Sequence, residues 1–404
     1  MAPISLTFDM PKYVANGIAT GEFFRNGGVI QDQSGRVVTW LKDAAMTSSI
    51  SPSVMTGVDP TGALRLLVQA TDSAVTQQRL GAISRQVGQL QNMVMFQSAA
   101  SFLTLGVTAI GFAVIYKKLQ KLEGRLQEVQ KKLEEIDEKI DLAFYANFRA
   151  ALGLARNAFE MSNAENRRGS AMQAIDRFLE AEHVYADLAD KELERHSQIG
   201  DEYLLTLCLA YIAETQCYLE LGEYGIARSR FEEAKHQIKS RMEKYVDILL
   251  TPNPLMYLHP KLSGKVDLSR LTRIYQWKDS RKTENLVFEE LRESFGNMIE
   301  DIDHIQDWAK QLPSSIMEQQ DIKRGFFGLK KEGRAAIFEQ LPRAVEEMEE
   351  MIETTRRFES YEYEIKLLEK TKVPYSKWHN ATPAVAPPES SSLIFVTPPS
   401  PLYL

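Results

Sequence analysis

The sequence predicts a mainly α-helical protein, with a long transmembrane and coiled-coil helix, a helical-hairpin domain and a small N-terminal β-containing region. Three observations carry that prediction. Gln86 to Tyr116 is a run of 31 residues without a charge, and its last 19, SAASFLTLGVTAIGFAVIY, are largely apolar. Apolar residues alternate at three- and four-residue spacing on both sides of it. A helical pattern then fills residues 144–249. The chain of 404 residues is longer than one ordinary core, and 44% hydrophobic with 25% charged residues is the composition of a folded protein. A net charge of −7 sets aside a general nucleic-acid binder, so no specific nucleic acid is expected as a partner.

Residues 1–72 are rich in Gly, Pro, Ser and Thr. Gly28 to Ile30 and Val37 to Leu41 flank Asp32-Gln33-Ser34-Gly35, a turn signal between two strand-like pieces, and predict a small hairpin. No basic region leads into an apolar run at the amino terminus, so no cleavable secretory leader is expected.

Residues 73–143 are read as a membrane-inserting helix flanked by heptad segments. A helix of about 20 residues spans the ~30 Å hydrocarbon core of a bilayer, and the uncharged run is long enough. The residues expected in the membrane are Phe102, Leu103, Leu105, Val107, Ile110, Phe112, Val114 and Ile115. Before them runs a seam of Leu80, Ile83, Val87, Leu90 and Val94. After them runs a second seam of Leu119, Leu122, Leu126, Val129, Leu133, Ile136 and Ile140, with charged residues between. Two geometries fit: one continuous helix crossing once, or a reversal near Gly106 to Gly111 that pairs the two seams. The length of one crossing favours the first. Six basic residues between Lys117 and Lys132, against Arg79 and Arg85 before the stretch, then place the C-terminal part in the cytoplasm. Leucine at one heptad position, with valine and isoleucine entering at the other, predicts self-association.

Within residues 144–249, Tyr218, Leu221, Gly222, Tyr224, Ala227, Phe231 and Ala234 form the sharpest local pattern, and Ala174, Phe178 and Ala181 repeat part of it. Gly222 permits a turn, the alanines admit a second helix, and the aromatics fill the groove between helices. The set resembles the second half of a tetratricopeptide repeat. That resemblance implies a concave surface for a protein partner. The two sets lie 53 residues apart, not the 34 of a regular array, so the expectation is repeat-like hairpins.

Residues 250–283 read as a basic, Pro-containing linker, 284–378 as a C-terminal helical region whose acidic stretch EEMEEMIE is solvated, and 379–404 as a disordered Pro/Ser-rich tail. Lys323 to Lys331, KRGFFGLKK, reads as a helix connection. The six histidines are scattered, Cys208 and Cys217 lack the paired spacing of a zinc site, and no phosphate loop or nucleophile turn occurs. Neither an enzyme, a cofactor nor a metal is expected. The sequence therefore predicts a single-pass membrane scaffold or adaptor that binds the bilayer, itself and a protein partner. An alternative is a membrane-active effector, because the bracketed apolar segment at residues 74–143 resembles the plan of helical pore-forming toxins. A further alternative is a soluble scaffold with that helix buried.

Overall fold

The structure, a computed structural model, describes residues 5–43, 112–132, 143–197, 199–250, 254–295, 324–325, 328–329, 331–379 and 393–404. In chain order these form β1 (Ser5–Thr7), α1 (Lys12–Thr20), β2 (Phe23–Asn26), β3 (Val29–Asp32) and β4 (Val37–Asp43). Then come α2 (Phe112–Lys132), α3 (Ala143–Glu160), α4 (Ala164–Glu194), α5 (Gly200–Glu220) and α6 (Tyr224–Leu250). The described chain continues with α7 (Leu268–Lys278), α8 (Glu284–Phe295), β5 (Arg324–Gly325), β6 (Gly328–Leu329), α9 (Lys331–Thr371), α10 (Tyr375–His379) and β7 (Leu393–Thr397). The fold is mainly helical with one small five-stranded sheet.

That sheet is antiparallel in the order β1-β7-β4-β3-β2, so strands from both chain ends build it. The β3–β4 hairpin forms where the turn signal lies. Asp32 Oδ1 accepts the backbone N–H groups of Ser34 and Arg36, each at 3.0 Å, and so closes the loop. A register shift opposite Ile30 and Gln31 makes a bulge in β4. In β7, Ile394 and Val396 join the helical core, while Phe395 packs with Val14, Ile18, Ile30 and Leu41 beneath α1. This is the two-sided alternation of a buried strand. Leu393 to Thr397 is thus a central strand, and the expectation of a disordered tail fails for residues 393–404; residues 380–392 lie outside the described residues. Tail and hairpin were separable in the sequence only because their pairing is so distant.

The sheet is fastened to α9 and α10. Gly27, at φ +55°, sets the β2–β3 turn so close to the backbone of Arg356 that a Cβ would collide with it. The Gly28 N–H donates to Ser360 Oγ at 2.9 Å, Lys42 Nζ donates to the Trp378 carbonyl at 2.9 Å, and Trp40 meets Trp378 edge-on at 6.4 Å. Residues 5–43 and the helices after Ala143 therefore form one body. A single crossing by Gln86 to Tyr116 would set those two parts on opposite sides of a membrane. In this fold β7 is hydrogen-bonded between β1 and β4, and residues 86–111 of that stretch lie outside the described residues.

Helices α3 to α6 pack each against the next, α9 lies along α6, and α2 lies on α3 and α5. Asn163 caps α4 by accepting from the N–H groups of Glu165 and Asn166. Leu221 ends α5 and Gly222 follows at φ +77°, where the Glu223 N–H reaches the Tyr218 carbonyl and the Gly222 N–H the Leu219 carbonyl. These paired bonds satisfy the end of the helix and turn the chain into α6. Nearly every residue of α5 is buried, because helices surround it.

Two further expectations are corrected. The acidic stretch of α9 does not lie free in solvent: Met348, Met351 and Ile352 are core residues, and Glu349 accepts from Nε and Nη2 of Arg270 at 3.0 and 2.7 Å. The basic stretch before Lys282, expected as a linker, is structured. It folds as two short 3₁₀ turns and α7, with Arg270 and Arg273 on Glu349 and Lys278 on Asp247. Gly325 and Gly328 pair in a small antiparallel hairpin, whereas Phe326 and Phe327 lie outside the described residues. So do the Leu80 to Val94 seam and residues 296–323 of the expected C-terminal helical region.

Candidate functional site

Helix α2 begins inside the uncharged stretch and continues along the second seam. Its residues Ile115, Leu119, Leu122 and Leu126 recur at four, three and four positions and are all buried, at 0–1% exposure. The opposite face, with Tyr116, Lys117, Gln120, Lys121 and Glu128, is exposed. Helix α2 is thus a strap held by one stripe. Burying four such side chains stabilises the docked helix by about 1.5–3 kcal/mol each before the cost of ordering it. At its start Phe112 stacks on Phe159 of α3, with ring centroids 5.9 Å apart and planes nearly parallel.

One charge enters the seat from α2. Arg125 places Nη2 3.0 Å from Asp201 Oδ2 and Nε 3.0 Å from Glu202 Oε1, both acids being fully buried in the first turn of α5. Glu123 of the same helix pairs with Arg149 of α3. Burial opposes the charge of Arg125, but Asp201, Glu202 and Glu347 outweigh it and hold the guanidinium protonated. The acids are in surplus. Burial, with Asp201 beside it, pushes the Glu202 carboxyl well up, and burial beside Asp201 and Glu350 pushes Glu347 up to about 8. Glu350 rises to about 7, by burial and then the neighbouring Glu346. Charged carboxyls are disfavoured here because water is excluded and one guanidinium serves several of them. The Tyr245 hydroxyl, buried in the same field, has no hydrogen-bond partner among the described residues.

The expected membrane residues divide at Phe112. Phe102, Leu103, Leu105, Val107 and Ile110 lie outside the described residues; Phe112, Val114 and Ile115 open α2 and pack on the core. Among the described residues no helix is long and apolar enough to cross a membrane. Of the seam, Leu119, Leu122 and Leu126 are covered within the chain, the side chain of Val129 is not described, and Leu133, Ile136 and Ile140 lie outside the described residues. The described seam therefore finds its partner inside its own chain.

No match to this chain was found among models of known protein families, curated proteins or solved structures.

The repeat-like residues stand on α4, α5 and α6. Ala174, Phe178, Ala227, Phe231 and Ala234 are wholly buried, Ala181 nearly so, and Phe178 meets Phe148 of the preceding helix at 5.7 Å. Phe231 instead stacks on Phe358 of α9 at 4.5 Å, and the Tyr224 hydroxyl donates to the Val373 carbonyl at 3.1 Å. Tyr218 and Leu221 are half-buried at the turn that Gly222 makes. The second hairpin thus packs on α9 rather than on a further repeat, and α2 covers α3 and α5, the first helices of the two hairpins.

A second arginine cluster joins α4, α5 and α6. Arg230 of α6 donates to Glu182 of α4 at 2.7 Å, Glu214 of α5 at 2.8 Å and Glu233 at 2.7 Å. Burial and the adjacent Glu214 push Glu182 up to about 10, so it holds its proton at neutral pH. Among the described residues no group of three His, Cys, Asp or Glu side chains is placed to hold a metal ion. Cys208 and Cys217 are buried free thiols, and burial raises both. Sequence reasoning missed Asp201, Glu202 and Glu214, although a signal was present. They are the acids inside the otherwise apolar run GDEYLLTLCLAYIAETQ.

Proposed function

We propose that this chain is a non-enzymatic, membrane-active effector: a folded body that stores an apolar segment and delivers it to a bilayer from the side on which the body stands. The observation that carries this reading is the closure of the sheet. Strand β4 ends at Asp43 and α2 starts at Phe112, so the two points that bracket residues 44–111 belong to one body. An uncharged run in such an excursion enters lipid as a hairpin or a re-entrant segment, without breaking the sheet. The one-stripe attachment of α2 supports storage, because a strap held by a single face can leave while the hairpins stay packed. An adaptor that offers α3 and α5 to a peptide is less well supported, since α2 lies on that face.

The test uses vesicles of phosphatidylcholine with phosphatidylglycerol, flotation and dye release. The intact chain floats and releases dye; the Gly106→Arg, Ile110→Arg double variant does neither. Sidedness is read by cysteines at Gln33 and Gln173, which label together from outside the vesicle. Labelling from opposite sides, or equal behaviour of parent and double variant, overturns the proposal.

A further inference from the structure

The residues that seat α2 also carry the pattern of an interface between copies. With Leu119 taken as heptad position a, Leu122 is d, Leu126 is a and Val129 is d. The flanking g positions are then Lys118, Arg125 and Lys132, all basic, and the e positions are Glu123 and Gln130, with Asp137 next in the sequence. In a parallel pair of helices each g residue faces the following e residue of its neighbour, which sets Lys118 of one copy against Glu123 of the other. In an antiparallel pair g faces g, basic against basic. This polarity selects a parallel arrangement of identical helices.

In the stored chain the same side chains are engaged internally. Leu119, Leu122 and Leu126 are in the seat, Arg125 is on Asp201 and Glu202, and Glu123 is on Arg149. One stripe and its flanking charges cannot serve both partners at once. We infer that the Leu119–Leu122–Leu126 face of α2, with Arg125 and Glu123 beside it, is an exchangeable interface whose second partner is the same helix of another copy, in parallel. The seat on α3 and α5 keeps the chain monomeric. Departure of α2 allows copies to pair, and the parallel sense brings their adjoining apolar stretches to one end of the assembly. This inference rests on the storage reading above, and it names the assembly that follows release.

The experiment is run on the full chain without lipid, so that its result is independent of the vesicle assay. Asp201→Asn with Glu202→Gln removes the acids of the seat while leaving every residue of α2 intact. Leu122→Cys reports pairing, because a d position meets its own equivalent only in a parallel assembly. Hydrogen exchange at residues 112–132, solution mass and non-reducing electrophoresis are then measured. In the seat variant, exchange across α2 rises at least tenfold while α4 to α6 keep their protection, the mass at least doubles, and a disulfide joins copies through position 122. Leu122→Cys alone remains a monomer. Fast exchange with a monomer mass and no disulfide overturns the parallel interface, and unchanged protection of α2 overturns its exchange. Should the seat variant lose its helical signal, Arg149→Met removes the Glu123 contact while leaving Asp201 and Glu202 in place, and is read by the same three measurements. Floating vesicles with no pairing would leave the membrane reading standing and this one refuted; pairing without flotation would do the reverse.

Discussion

Arg125 and Arg230 perform the same chemistry in two different mechanical settings. Each places one guanidinium against two buried carboxyls, and in each the acids outnumber the cation. Arg230 joins α4, α5 and α6, whose apolar faces are also packed against one another around Phe178, Leu207 and Phe231. Arg125 joins a single strap to that assembly. A buried ion pair with surplus acid is a weak source of stability and a strong penalty when half of it is removed. The difference between the settings is where that penalty can be relieved. Helix α2 can leave, and the acids then meet water. Nothing near Arg230 can leave without opening the core.

The largest expected effect breaks the comparison directly. Arg230→Met strands Glu214 with Glu182 in the centre of the bundle and lowers global stability by about 3–5 kcal/mol, read in urea unfolding. Arg125→Met strands Asp201 and Glu202, but its cost cannot exceed the free energy of undocking α2. Global unfolding of that variant shifts by less than that of Arg230→Met, while amides 112–132 lose protection. Equal global losses in the two variants would show that α2 is as integral as the hairpins.

Acidity sharpens the same comparison. Glu347 and Glu350 have pKa values raised to about 8 and about 7, against about 4.3 when unfolded or solvated. The docked state therefore binds more protons than the undocked one between pH 5 and 8. Its advantage is complete at the acid end of that window and is lost as pH rises through it. The groups that face Arg125 across the seat are Asp201 and Glu202 on α5, Tyr245 on α6 and Glu347 and Glu350 on α9, and α2 itself adds Lys121. The slope is at most about 1.4 kcal/mol per pH unit for each proton, and less for the half-exposed Glu350. Undocking, followed by exchange of α2 amides corrected for intrinsic rate, grows from pH 5 to 8. Glu347→Gln flattens the rise. Glu182, raised to about 10, is untouched by undocking, so it lowers global stability progressively from about pH 4.3 to about 10 without moving α2. A pH-independent α2 in the parent chain would remove the acid surplus from the account of its release.

The two settings also differ in how much of them could be read from residues. Local chemistry is legible: Asp32 and Gly35 announce their turn, Gly222 its helix end, and the small residues of α4 and α6 their close packing, because each depends on neighbours in the chain. Strand β7 is not. Its LIFV stands among Pro and Ser, and its partners lie far off, with Thr39 Oγ1 reaching the Val396 carbonyl across 357 positions at 3.1 Å. The seam of α2 falls between these cases. Leu119, Leu122 and Leu126 declare that a partner helix exists, since heptad spacing measures a buried stripe. It does not say whether α5 or another copy supplies the cover. The buried acids were masked for a related reason: charge in an apolar helix reads as surface until its counter-ion, Arg125 or Arg230, is placed beside it.

The smallest effect tests whether the hairpins respond as one unit. Gly222 adopts φ +77° in open space, so Gly222→Ala meets no steric clash and carries only the strain of a left-handed backbone, about 1 kcal/mol. The turn belongs to α5 and α6, which enclose Arg230 and provide the acids under Arg125. If the bundle is cooperative, that strain appears as a global loss in urea unfolding with an unchanged m-value. Helix α2 contributes nothing to the turn, and the rate of its undocking stays at the parent value. A variant that loosened α2 while leaving global stability intact would place the end of α5, rather than the Arg125 seat, in control of the strap.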